Sequence, residues 1–159
     1  MKLNHQIFGN IDFNNGWTRP ISITIFGKQH VLEINIDADE DAEFEVNQEK
    51  AYTFFQEHLD EIVTEVNSAI LSYYNREISN IVSSFTNLAE KQSFLNKIGD
   101  KQQIYSLLQP KQIMFPLTFY ESVEEFGFLC DCDWDKENGI GIKFTNGLLS
   151  EIGYQDILL

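Results

Sequence analysis

Three aspartates and a glutamate at alternating positions, Asp131, Asp133, Asp135 and Glu137, come nearest in this chain to a pattern that could do chemistry. Hard cations bind where several carboxylate oxygens converge, and carboxylates two residues apart open a calcium-binding loop. The match fails where it should be most specific: the sixth loop position holds Lys136 in place of glycine, and the twelfth holds Ile142 in place of a bidentate glutamate. On a strand, moreover, the side chains from Asp131 to Asp135 would be strung over ~13 Å, too far for one ion. The row therefore reads as a solvated sheet face or an edge that holds a partner, and no metal is expected.

Among these acids stand Cys130 and Cys132, the only two cysteines. Thiolates can ligate zinc or act as nucleophiles. A structural zinc site usually needs four ligands, however, and His5, His30 and His58 are scattered with no pair at ligand spacing. Cysteines at i and i+2 on a strand share a face and cannot readily bridge each other, so they read as small buried hydrophobes. Gly139-Ile140-Gly141 lacks the third glycine of a dinucleotide fingerprint and opens no helix, and no Gly-x-Ser-x-Gly elbow occurs. No catalytic residue, metal or cofactor is assigned; the sequence leans against catalysis without deciding it.

The element that positions the acidic row is a strand. Phe126, Phe128, Cys130, Cys132 and Trp134 fall on one face, and Leu129, Asp131, Asp133 and Asp135 on the other, because strand side chains alternate. Asn138-Gly139 supplies residues that tolerate positive φ, returning the chain into Ile140, Ile142 and Phe144. Thr145-Asn146-Gly147 turns it again through Leu148, Ile152 and Tyr154. The expected product is a three-stranded antiparallel meander that needs cover for its apolar face.

The run Cys130-Asp131-Cys132-Asp133-Trp134-Asp135, followed by Glu137-x-Gly139-Ile140-Gly141-Ile142 and the ending Ile152-Gly153-Tyr154-Gln155-Asp156-Ile157, resembles an uncharacterised family of small acidic bacterial proteins. That family carries a Trp-Asp-x-Glu-x-Gly signature and a Gly-x-x-Asp-Ile end. The resemblance is specific over about the last thirty-five residues and looser from Trp17 to Lys28 and in the helix after that strand. Members commonly carry His where this chain has Asn138, so no histidine role carries over. The family has no assigned activity. The resemblance implies a fold and a bacterial cytoplasmic setting, and no mechanism.

Upstream, Ile7 and Phe8 give a weak strand signal, and Asn10, Asn14, Asn15 and Gly16 mark turns. Ile21, Ile23 and Ile25 alternate with polar neighbours before Gly27-Lys28, and Leu32, Ile34 and Ile36 alternate after it, which predicts a hairpin with one buried face. An acidic loop, Asp37 to Glu43, leads to Phe44 and Val46, a candidate short strand. Asn47 suits an N-cap, and Ala51, Phe55, Leu59, Ile62, Val66, Ile70 and Tyr73 then recur at helical spacing. That predicts one helix from about Gln48 to about Tyr74, with Glu57, Asp60, Glu61 and Glu65 on its exposed side. Residues 75–109 permit one or two further helices, Gly99 suiting a stop, or, from their polar and β-branched content, a partly mobile segment. Ile113 to Tyr120 reads as a strand that Pro116 confines to an edge or bulge.

The expected architecture is α+β: an antiparallel sheet made of an N-terminal hairpin and a C-terminal meander, covered on one face by the long helix and one or two further helices. With 159 residues, 43% of them hydrophobic, the chain suits a single domain, 1–159. The N-terminus lacks a signal-length apolar run and no membrane-length apolar stretch occurs, which predicts a cytoplasmic protein. The formal charge of −14 comes from 25 acids against 11 bases, and from Glu33 to Glu65 Lys50 is the only base. Such a surface repels phosphates, arguing against nucleic acid and anionic membranes as partners. The function expected is that of an acidic binding protein for a basic protein partner, one version being an immunity-type toxin inhibitor. Its candidate contact residues are Asp131, Asp133, Asp135, Glu137, Asp39, Glu40 and Asp41. The alternative is a small-ligand protein or enzyme with a pocket between helix and sheet.

Overall fold

A computed structural model describes residues 1–41, 43–97, 101–119 and 122–158, with Ser79 and Lys97 described by their backbone alone. The fold is α+β. Its eight strands form one sheet in which spatial order follows chain order: β1 (Lys2–His5), β2 (Gly9–Phe13), β3 (Trp17–Ile25), β4 (Lys28–Ile36), β5 (Leu108–Phe115), β6 (Glu125–Cys132), β7 (Ile140–Thr145) and β8 (Leu148–Gly153). Neighbouring strands run antiparallel except β4 and β5, which pair in parallel from Glu33↔Gln112 to Ile36↔Phe115. A parallel pair needs a long crossover, and here α1 (Val46–Glu57), α2 (Leu59–Ser84), α3 (Leu88–Lys97) and α4 (Lys101–Tyr105) supply it.

The two expected sheet pieces are present. The β3–β4 hairpin pairs Trp17↔Ile36 through Ile25↔Lys28. In the β6–β7–β8 meander, Asn146 (φ 50°) and Gly147 (φ 81°) make the tight turn that pairs Thr145 with Leu148. An apolar row, Ile34, Ile113, Phe128, Ile142 and Ile152, crosses five strands in register on one face. Over that face lie the buried helix residues Ala51, Tyr52, Phe55, Ile62, Val66 and Ile70. Phe55 meets Phe115 edge-on at 5.8 Å between centroids and Phe126 also at 5.8 Å, so the rings interlock helix and sheet. Burying each such ring contributes about 1.5–3 kcal/mol.

Several local expectations are corrected. Ile7 and Phe8 lie in the β1–β2 turn, where Phe8 is pulled into the core by His5, Phe44 and Tyr52. Val46 is the first residue of α1 and not part of a strand, while Phe44 packs its ring against Phe8 and Trp17. The helix is capped from Glu45, not Asn47: Gln48 Oε1 accepts from the Glu45 N–H at 2.9 Å in a capping box. Gln48, 1% exposed, also donates from Nε2 to the carbonyls of Asp37 (2.7 Å) and Phe115 (3.0 Å). One side chain thereby ties the ends of β4 and β5 to the start of α1.

The apolar stripe is continuous in sequence, yet two helices share it. His58 (φ −121°, ψ 24°) interrupts them, while its N–H to Phe54 O (3.0 Å) and Ile62 N–H to its carbonyl (2.9 Å) carry the ladder across. The second helix also runs beyond Tyr74, to Ser84. β5 ends before Pro116 and lies mid-sheet between β4 and β6, not at an edge. The proline it does contain, Pro110, sits where the register with β6 slips, so its missing N–H falls at a bulge. Gly99, expected to stop a helix, and Tyr120, expected to end a strand, lie outside the described residues.

The opposite face of the sheet has a smaller cover. The 3-10 helix Gln155–Leu158 folds back over β6 and β7, where Met114, Leu129 and Leu158 form a separate apolar cluster with Ile157 against it. Glycines make room for it: a Cβ at Gly127 would stand 2.5 Å from Leu158 Cδ1, and one at Gly141 would stand 2.7 Å from Tyr154 O.

Candidate functional site

The acidic row does not converge. β6 ends at Cys132, so Asp131 is the only one of its carboxylates on a strand. Its Oδ1 accepts from Gln155 Nε2 at 3.2 Å, and the same nitrogen donates to Cys130 O at 2.7 Å. With Gln155 N–H on Asn138 O at 3.1 Å, the chain's last turn is fastened to the β6–β7 loop. Asp135 closes that loop: its carboxylate takes the Asn138 N–H (3.2 Å) and side-chain amide (3.1 Å), and its carbonyl takes Gly139 N–H (3.0 Å). Gly139 has φ 61°, and a Cβ there would meet Gln155 Nε2 at 2.3 Å. Two aspartates of the row thus have internal partners.

Asp133 is half-buried, and its backbone N–H reaches Leu107 O at 2.9 Å. With Lys136, Glu90, Ser93, Phe85 and Phe94 it lines a cleft of about 500 Å³. Glu137 is exposed. Among the described residues, no three His, Cys, Asp or Glu side chains are grouped so as to hold a metal.

The cysteines face inward as the alternation predicts, with Cys130 at 0% and Cys132 at 1% exposure and no disulfide. Burial pushes the Cys130 thiol far above its ordinary range, with nearby Cys132 and Asp131 adding to the effect. Burial likewise pushes Cys132 up to about 12, outweighing backbone hydrogen bonds that act the other way. A nucleophilic or ligating cysteine needs the thiolate, which these surroundings suppress.

Asp39, Glu40 and Asp41 are all exposed in the loop after β4. Asp37 N–H to Phe115 O (3.1 Å) holds the base of that loop, and Trp17 Nε1 donates to Asp39 O at 3.4 Å. This loop leaves the sheet beside Phe115, whereas Cys132 pairs with Leu108 at the other end of β5. At the usual strand rise the two acidic segments stand ~23 Å apart. The fold does not bring them together. A third group, Glu57, Asp60, Glu61 and Glu65, is exposed on the helices as expected, with Asp60 and Glu61 in the first turn of α2 where its dipole favours them.

Arg19 has no place in the sequence patterns that single out the acids and cysteines. It shares the alternation phase of Trp17 and Ile21 on β3, a cation on the core-facing side of a strand, and that phase is the available signal. Its Nη2 donates to the Tyr52 hydroxyl, which also accepts from Gln56 Nε2 at 3.1 Å. Its Nε is buried and, among the described residues, without an acceptor.

Fold and surface together define a class: an α+β protein whose helix-covered, mostly antiparallel sheet is edged by separated acidic loops, with a C-terminal turn clamped on the sheet's back face. Within that class the chain belongs to a family described as a domain of unknown function (DUF6985), whose model matches residues 7–159. No curated protein and no solved structure matches the chain. Among the described residues, no helix is long and apolar enough to cross a membrane.

Proposed function

We propose that the chain is an acidic binding protein of the bacterial cytoplasm that holds a basic protein partner, an immunity-type inhibitor of a basic toxin domain being the specific version. One observation carries this reading. Among the described residues the ion pairs are His58–Glu61 and the contacts of Lys143 with Glu125 and Glu151, so most of the acidic surface has no internal counter-charge. Asp39, Glu40, Asp41, Glu57, Asp60, Glu65 and Glu137 are all exposed. Uncompensated charge of one sign steers an oppositely charged partner and raises the association rate.

The test uses two charge reversals at the separate ends of the sheet. Asp39→Lys with Glu40→Lys and Asp41→Lys changes only exposed side chains. Glu137→Lys probes the other loop without breaking the bonds of Asp131 and Asp135. Native and reversed proteins are immobilised and challenged with lysate of the source cells, and association of any retained protein is timed at low and moderate salt. The reading expects one basic protein, retained by the native chain and lost by one reversal, associating more slowly as salt rises. Retention indifferent to both reversals, or an association rate indifferent to salt, would overturn it.

A further inference from the structure

Arg19 is a half-buried cation on the otherwise apolar face of β3. It lies in register with Ile34, itself 0% exposed, on the face of β3 that the helices cover. Its guanidinium carbon stands 5.6 Å from the centre of the Tyr52 ring, and Tyr52 is fully buried. Among the described residues no carboxylate lies within ion-pair distance of it, although the chain holds 25 acids against 11 bases. A partly desolvated charge without a counter-ion costs free energy, and so does a buried N–H without an acceptor. Ring contact and the bond to the Tyr52 hydroxyl offset part of this and leave Nε unanswered.

The surroundings are arranged for an acceptor. The Tyr52 oxygen receives both Arg19 and Gln56, which holds the guanidinium in place beside the cleft. A cleft of about 380 Å³ opens here between the β1–β2 turn, β3 and α1, with Asn10 offering an amide and Ile7 and Pro20 apolar wall. We propose that this cleft binds a small organic monocarboxylate. Arg19 is the counter-ion, the Asn10 amide a second donor, and the ligand's apolar part rests on Ile7 and Pro20. Guanidinium matches the planar, two-oxygen geometry of a carboxylate. A single cation within a chain of net charge −14 disfavours polyanions such as nucleoside phosphates.

The experiment titrates the native protein, labelled with nitrogen-15, with sodium benzoate, acetate, inorganic phosphate and chloride at matched ionic strength, following Arg19 Nε–H and the Gln56 side-chain amide. Saturable shifts of Arg19 Nε–H with benzoate, smaller ones with acetate and none with chloride are expected. Arg19→Lys keeps the charge and loses the planar fork, and should weaken benzoate binding about tenfold or more. Gln56→Ala, at an exposed helix position, should weaken it about threefold through the loosened Tyr52 hydroxyl. An Arg19 Nε–H that ignores benzoate and acetate, or responds equally to chloride, overturns the proposal, and phosphate binding tighter than benzoate overturns the ligand class. The native titration and the Gln56 variant decide the matter even if Arg19→Lys fails to fold.

Discussion

Adding one methyl group at Gly127 should loosen the whole protein from its back face. The new carbon would lie 2.5 Å from the carbonyl oxygen of Ile142 and 2.5 and 2.6 Å from the two terminal carbons of Leu158, where ordinary contact begins at 3.4 Å. β6 is paired on both sides, by β5 and β7, so its backbone cannot retreat. The yielding partner is Leu158, lifted with the 3-10 helix from the cluster it shares with Met114 and Leu129. Overpacking of this kind costs about 1–3 kcal/mol, of which alanine's smaller entropy loss in a strand offsets about 0.5–1. The expected net loss for Gly127→Ala is about 1–2 kcal/mol, which lowers Tm by roughly 2–8 °C in a chain of this size. Urea unfolding followed by the fluorescence of Trp17 and Trp134, 2% and 9% exposed, measures it. Leu158→Ala alone should cost about 2–5 kcal/mol, and less in the Gly127→Ala background, where it removes two of the three clashing atoms and leaves the Ile142 oxygen. A variant as stable as the native chain, or a double variant whose losses simply add, would refute the clamp.

Buried polar groups give two further outcomes. Gln48→Leu keeps the volume and strips partners from the carbonyls of Asp37 and Phe115 and the N–H of Glu45, so chemical denaturation should show a loss of roughly 2–4 kcal/mol. The thiols make stability fall on the alkaline side: both are raised in the fold, so above the unfolded value the unfolded chain releases protons that the folded chain retains. For each thiol the loss approaches roughly 1.4 kcal/mol per pH unit between the unfolded value near 8.5 and its folded one. Thermal unfolding from about pH 8 to about pH 10 should show the decline, shallower in Cys132→Ala. A decline of the same slope in that variant would show that its thiol is not responsible.

What the chain's own residues determined is local. Alternation from Phe126 to Cys132, the Asn146-Gly147 turn and the stripe from Ala51 to Tyr73 state their structures through backbone conformation and period, which need no distant partner. Tertiary structure alone decided everything that depends on which residues meet across long separations. The parallel pairing of β4 with β5 joins residues some eighty positions apart, and it made β5 central although Pro116 suggested an edge. Asp131 looked like part of a free acidic face until the fold supplied Gln155, 24 residues away, as its partner. Gly127 and Gly141 had no visible reason until Leu158 and Tyr154 came to lie against them. Arg19 shows the same division in one residue: its phase placed it on the core side of β3, and only packing against Tyr52 and Gln56 made it an unanswered charge beside a cleft. Propensity and period act over a few residues, whereas a counter-charge, a close approach or a strand's place in a sheet is fixed by neighbours that the local sequence does not contain.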